Sequence, residues 1–301
     1  MNRLDSLTVH DLRVVVVLAE VLHFGKTADH LGIAQPSVSA AVNKAEQAVG
    51  TKIFFRTSRK CSVTPFGKEV VTHVKAALAQ IEQITGAMEI GEFRGSFRLG
   101  LIPTIAPYLL PGLTAEVYQG FPNLAIYFTE GHTDKVLDEV VAYELDAGII
   151  SNFTPRSGIE SHLLAREELL VAVHRDHNLA SQEEIANDSL STDEMLSLDK
   201  GNCLRDQALG LCPSSTQGER PSHSTSLQTL LCLVSAGLGY AIVPRMAAKV
   251  ASELSNVELR PLESATRRDI VFVCREGDPR IDHFHALMKV TQKILALQKL
   301  A

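Results

Sequence analysis

Apolar positions recur with a helical period through the first fifty residues, then shorten into strand-like runs, then lengthen again. Thr8 and Asp11 make a capping-box-like start for a helix predicted to bury Leu12, Val15, Val16 and Ala19. A second, short helix is predicted over residues 26–31, with Gly32 permitting the tight turn after it. Pro36 stands where the first residue of a helix is favoured, and Val38, Ala41, Val42, Ala45 and Val49 then line one face. The other face carries Ala40, Asn43, Lys44 and Gln47, flanked by Ser37 and Ser39. Small and polar residues suit a helix that enters a DNA major groove.

Two short apolar runs follow, at residues 53–55 and 61–63, joined by Arg56-Thr57-Ser58-Arg59-Lys60. They predict a two-stranded wing whose basic tip meets phosphates. Thr64 and Pro65 restart a helix as cap and first residue. Val71, Val74, Leu78, Ile81 and Met88 then keep a seven-residue repeat, with Thr85 its polar position. Such a stripe pairs two copies of a helix or packs on the chain's own core; both readings stand. Gly86 and Gly91-Glu92 read as a hinge.

Beyond Phe97, strand-like and helix-like runs alternate: 97–101, 105–119, 124–128, 133–143 and 146–150. The pattern predicts an α/β body with parallel strands. Runs at 168–173 and 239–243 continue it, and 269–273 reads as a strand returning to the first half. The expected organisation is a winged helix-turn-helix domain over 1–64, a linker helix and hinge over 65–91, and an effector domain over 92–301. Two lobes are expected in that domain, lobe I at about 92–164 and 268–301 and lobe II at about 165–267.

A chain of 301 residues with 45% hydrophobic content holds two or three domains. No apolar stretch follows a basic start, so no signal peptide is read, and residues 14–19 are too short to span a bilayer. A cytoplasmic protein is expected. The net charge of −6 argues against wholesale nucleic-acid binding, yet residues 26–75 hold eight basic and three acidic side chains. That leaves +5 there and −11 elsewhere, a basic module on an acidic body.

Five cysteines are too few for a disulfide framework in a chain this long. Two of them, Cys203 and Cys212, stand nine positions apart in Gly-Asn-Cys-Leu-Arg-Asp-Gln-Ala-Leu-Gly-Leu-Cys, beside Arg205 and Asp206. A thiol next to fixed positive charge is a good nucleophile, and a second thiol can trap its oxidised form. Leu204, Ala208 and Leu211 predict a helix between them, which would hold the thiols roughly 13 Å apart along the axis. A disulfide needs Cα atoms within about 7 Å, so bridging would require the helix to melt. Cys232, inside the apolar run 230–234, is expected to be buried and structural.

With these residues in view, the chain resembles a LysR-type transcriptional regulator. The resemblance rests on Phe24, Ala28, Leu31, the run Gln35-Pro36-Ser37-Val38-Ser39, Glu46, Gly50, Phe55-Arg56 and Thr64-Pro65-Phe66-Gly67. It covers the whole length. The run from Leu101 to Pro111 and the cysteine pair further resemble the peroxide-sensing OxyR-type members of that family. The resemblance implies a two-lobed body like a type 2 periplasmic binding protein and a homodimer or homotetramer on double-stranded promoter DNA. It also implies RNA polymerase as a partner, a cellular dithiol as reductant, and no enzyme, no cofactor and no metal.

Position by position, the resemblance makes Cys203 the peroxide-attacking cysteine and Cys212 the resolving one. Thr104, Thr133, Asn202, Arg205, Asp206 and Arg275 become a hydrogen-peroxide pocket. Gln35, Pro36, Ser37, Ser39, Asn43, Lys44, Arg56, Arg59 and Lys60 become the DNA-facing set. Two departures stand out: Asn202 replaces a histidine and cannot titrate, and Ala34 removes a capping hydroxyl. Three other readings compete: a regulator answering a small organic metabolite held between the lobes, with the cysteines incidental; a thiol peroxidase carrying a DNA-binding domain; and a solute-binding protein.

Overall fold

In the computed structural model the chain forms two units, residues 1–91 with 142–144, and residues 92–141 with 145–301. The structure describes residues 7–56, 61–86, 93–212, 223–224 and 226–298.

The first unit opens with α1 (Val9–Val21), where the Thr8 hydroxyl accepts from Asp11 N–H and the Asp11 carboxylate accepts from Thr8 N–H. Its buried stripe is Val14, Val15 and Leu18, while Leu12, Val16 and Ala19 are only half-buried. The expected face is therefore corrected. Val14 to Val17 is apolar on every side, so periodicity cannot choose among orientations. In α2 (Phe24–Leu31), the His23 side chain accepts from Lys26 N–H, and Gly32 closes the helix at φ +64°. Helix α3 (Gln35–Val49) buries Val38, Ala41, Val42 and Ala45, as predicted, and Ala34 gives it no side-chain cap. These residues share one core with Val14, Val15, Leu18, Ala28, Ile53 and Phe54.

Strands β1 (Phe54–Arg56) and β2 (Cys61–Val63) pair antiparallel as the predicted wing. Helix α4 (Pro65–Gly86) follows the cap at Thr64, whose hydroxyl accepts from Gly67 N–H at 2.8 Å and donates to the Lys52 carbonyl. Gly67 is required there, because a Cβ would sit 2.1 Å from the Ile53 carbonyl oxygen. Val71 joins the helical core, and Val74 and Leu78 are also buried within the single chain. The start of the expected inter-chain seam is thus already covered. The Thr85 and Met88 side chains, the Gly91-Glu92 hinge, and Arg59 and Lys60 lie outside the described residues.

In the second unit, β3 (Gly95–Leu101), α5 (Ala106–Gly120), β4 (Leu124–Glu130), α6 (Thr133–Val141) and β5 (Ala147–Ser151) alternate as predicted. The three strands are parallel, with β3 central. β6 (Ile159–His174) is then a single strand of 16 residues. Ile159 and Leu164 belong to a first core with Phe97, Leu99 and Phe272, whereas Leu169 to Val173 belong to a second core with Leu230, Leu231 and Tyr240.

Around that second core lie β7 (Ser197–Leu198), α7 (Cys203–Gly210), β8 (His223–Ser224), α8 (Leu227–Ser235), β9 (Ala241–Pro244), α9 (Ala248–Ser252) and β10 (Val257–Pro261). β11 (Arg267–Arg275) returns to lie between β6 and β5, and α10 (Ile281–Leu297) packs on the first core. The main sheet runs β10-β6-β11-β5-β3-β4, with β9 also on β6. Among the described strands, β3 pairs parallel with β4 and β5, and β7 with β8; β6, β9, β10 and β11 meet their strand neighbours antiparallel. The chain leaves the first core on β6 and comes back on β11, so these two must run in opposite senses.

Candidate functional site

The carboxyl ends of the parallel strands set the site, as they do in open α/β sheets generally. Thr104 follows β3, Thr133 is the first residue of α6 after β4, and Ser151 is the last residue of β5. From the second core, α7 brings its own first residue to this edge: Cys203 Sγ lies 3.1 Å from Ser151 Oγ. Asn202 caps α7, its Oδ1 accepting from Leu204 N–H at 3.1 Å. Gly201 precedes it at φ +90°, and a Cβ there would lie 3.9 Å from the His132 ring. The amino ends of α6 and α7 therefore converge, each carrying the partial positive field of a helix start.

Thr104 is buried and held by Arg268, which donates to its Oγ1 at 2.9 Å and to its carbonyl at 3.2 Å. Arg268 is fully buried and paired at 2.8 Å with Glu167, itself fully buried. A hydroxyl has one proton and two acceptor sites, so an arginine on the oxygen directs the Thr104 proton elsewhere. The Thr133 Oγ1 atom is buried with no protein partner. Arg205 is buried on α7.

Two expected positions, Arg275 and Cys232, need correcting. Arg275 is not near Thr104: it donates to the Val140 and Leu145 carbonyls and to Asp278 at the far end of β11. It stands seven positions along the strand from Arg268, roughly 23 Å away on the opposite face. Asp206 is exposed on α7. Cys232 is exposed as well, because α8 buries Leu227, Leu230, Leu231 and Val234, and the next position round points outward. Arg268, Glu167 and Ser151 escape sequence reading; an arginine pair at 267–268 opening an apolar strand is the one visible hint.

Cys212 lies past the other end of α7. Its sulfur is 3.9 Å from Met195 Sδ and 4.0 Å from Tyr240 Oη, and burial pushes the thiol up. Cys203 packs against the first core and Cys212 against the second, and both are free thiols. The intervening helix is anchored by buried Leu204 and Ala208.

On the first unit, Gln35, Pro36, Ser37 and Asn43 are exposed on α3, and Ser39 is half-buried. Lys44 is tied to Asp11 at 2.8 Å. Burial would raise Asp11, but Lys44 and the Thr8 N–H and O–H overcome it and hold the carboxyl below its ordinary value. Arg56 donates to Asn43 Oδ1 at 3.3 Å and lies over the Phe24 ring. Glu46, buried, accepts from the Ile53 and Phe54 N–H groups and from Lys52, fastening the wing to α3.

A winged helix-turn-helix unit with an exposed polar helix face, joined to a two-cored α/β body, has the architecture of a DNA-binding regulator. Residues 9–68 match the family described as bacterial regulatory helix-turn-helix protein, lysR family, and residues 91–294 match the LysR substrate binding domain. The chain belongs to the LysR family of DNA-binding transcriptional regulators, which are not enzymes. Within it, the chain is 32% identical over 285 residues to the DNA-binding transcriptional dual regulator OxyR of Escherichia coli K12, covering 93% of each. It is 31% identical over 278 residues to the hydrogen peroxide-inducible genes activator of Haemophilus influenzae, covering 91% of this chain and 92% of the other. A full-length OxyR cysteine variant from Pseudomonas aeruginosa superposes with a TM-score of 0.82 at 28% identity, covering 95% of each chain. A peroxide-bound cysteine mutant of Corynebacterium glutamicum OxyR gives 0.66 at 29% identity, covering 97% of this chain and 95% of that one. Among the described residues, no helix is long and apolar enough to cross a membrane.

Proposed function

We propose that this regulator senses hydrogen peroxide through reversible formation of a Cys203–Cys212 disulfide and controls oxidative-stress genes. The observation that carries the reading is the setting of Cys203. It stands at an amino helix end, 3.1 Å from a serine hydroxyl, on the strand edge that also carries the buried, unpartnered Thr133 oxygen. Cys203 sulfur attacks one peroxide oxygen, the O–O bond breaks, and water leaves with Cys203 as a sulfenic acid. Cys212 sulfur then attacks Cys203 sulfur, forming the S–S bond and expelling a second water. Peroxide gains two electrons and the two thiols lose them.

Thr104 and Thr133 supply polar contacts to the peroxide, with Arg268 setting the orientation of Thr104. The converging amino ends of α6 and α7 favour the negative charge that develops on the leaving oxygen. The disulfide cannot close over an intact α7, because the helix holds the two positions roughly 13 Å apart. Closure unwinds α7 and pulls Leu204 and Ala208 from the second core. That refolding alters the contacts of a dimer or tetramer on promoter DNA, where Gln35, Ser37, Ser39, Asn43 and Arg56 face the duplex. A dithiol reductant resets the pair, and RNA polymerase is the downstream partner.

Non-reducing peptide mapping after micromolar peroxide, run beside promoter footprinting, tests the reading. A Cys203–Cys212 linkage with a changed footprint is expected, and Cys203→Ser should abolish both while still binding DNA. A fully responsive Cys203→Ser protein refutes it.

A further inference from the structure

On the first core, remote in sequence from the cysteine pair, three donors of different chemistry meet on one sheet face. Glu160 and His162 are two apart on β6 and so project to the same side. Cys274 on β11 stands directly opposite Glu160 in the ladder. One ligand atom from each lies within 4.8 Å of the other two. Cys274 Sγ is 3.3 Å from Glu160 Oε1, and His162 Nε2 is 3.6 Å from the same oxygen.

These separations have a chemical meaning. Zinc bonds of about 2.3 Å to sulfur and about 2.0–2.2 Å to nitrogen or oxygen give tetrahedral edges of roughly 3.3–3.7 Å. Two of the three edges are already at that length. A buried thiol, a carboxylate and an imidazole whose Nε2 is buried without a hydrogen-bond partner thus gather their donor atoms within 4.8 Å of one another. The Glu160 and His162 side chains are each about one-third exposed, which gives an ion a route in, while Cys274 is fully buried behind them. His285 on α10 sets its ring edge-on to His162 at 5.7 Å between centroids. It is not among the donors gathered within 4.8 Å, so water supplies the fourth ligand.

We infer that Glu160, His162 and Cys274 form a binding site for a borderline-soft divalent cation of the zinc class, clamping β6 to β11. Mixed sulfur, nitrogen and oxygen donors select such an ion over magnesium or calcium, which take oxygen ligands. On binding, the Cys274 S–H proton passes to solvent and the sulfur–metal bond takes its place. The site does not depend on the peroxide reading, since none of its residues belongs to that chemistry.

Cobalt(II) tests it, as a spectroscopic stand-in for zinc. Full-length Cys203→Ser/Cys212→Ser protein, reduced, should bind one Co²⁺ per chain with a near-ultraviolet sulfur-to-cobalt absorption and tetrahedral visible bands that zinc displaces. His162→Gln and Cys274→Ser should each weaken binding by at least about 10–100-fold, the loss already typical of an outer-shell partner. His162→Gln decides the matter if Cys274→Ser does not fold. Absence of the sulfur-to-cobalt band, or an unchanged cobalt affinity in the folded variants, overturns the site.

Discussion

Arg268 reaches across 164 positions of sequence to grip Thr104, donating to both its hydroxyl and its carbonyl. The strand that brings Arg268 there is the one that returns late to the first core, so the return crossover completes this edge of the sheet.

Because Arg268 and Glu167 are both fully buried, removing one partner leaves an uncompensated charge. Arg268→Met should cost about 3–5 kcal/mol, read as a lower urea midpoint for the second unit of the reduced protein. The double variant Glu167→Met/Arg268→Met should recover much of that loss. A double variant no better than the single one would show that the pair acts through something other than mutual charge neutralisation.

Ser151→Ala removes the side-chain hydroxyl that lies 3.1 Å from the Cys203 sulfur. Loss of a hydrogen bond worth about 0.5–1.5 kcal/mol should slow Cys203 oxidation roughly 2- to 12-fold in quenched-flow peroxide titrations. An unchanged rate would assign Ser151 to structure alone.

Leu204 is buried in the intact α7 and loses that burial when the helix unwinds. Leu204→Ala should therefore weaken the reduced fold more than the oxidised one, by about 2–3 kcal/mol. The disulfide potential should become more negative by roughly 40–65 mV, measured against a dithiol buffer. A shift in the other direction would contradict unwinding as the coupled step.

Burial pushes the Asp146 carboxyl up, but the Arg280 and Arg98 guanidiniums and the Arg98 N–H overcome it and hold it low. A depressed carboxylate contributes stability that is fully present above its ordinary value of about 4 and fades as pH falls through the folded value. Asp146→Asn should lower the melting temperature at neutral pH and flatten its fall below about pH 4. Equal acid slopes for the two proteins would place the acid sensitivity elsewhere, for instance at Asp278, which is also held low.

Gln35 opens α3 and is exposed. Gln35→Ala should weaken promoter binding by about 1–3 kcal/mol, as for loss of a base contact, and leave the salt dependence unchanged. A flatter salt slope in fluorescence titrations would instead mark Gln35 as a phosphate contact.

Elements with a single apolar face were legible in the sequence. The α3 stripe and the β3–β5 alternation follow directly from period, and the Thr8–Asp11 and Thr64 caps from residue type. Legibility failed where a pattern was apolar all round or interrupted. Val14–Val17 hid the orientation of α1, and polar Glu160, Ser161, His162 and Arg166 disguised the first half of β6. The site was legible through its local motif, Cys203 to Cys212, and through two threonines at helix starts. Its distant partners were not, because nothing local separates Arg268, which ends against Thr104, from Arg275, which serves carbonyls near Asp146. The Glu160–His162–Cys274 group is hidden for the same reason, since only the β6–β11 ladder brings it together.

β6 is shared by both cores, and its ladder with β11 slips once, between Ile270 and Val271. A bulge bends its strand and raises the local twist. Any unwinding of α7 would take Leu204 and Ala208 out of the second core, and β6 is the continuous element by which the first core would meet that loss.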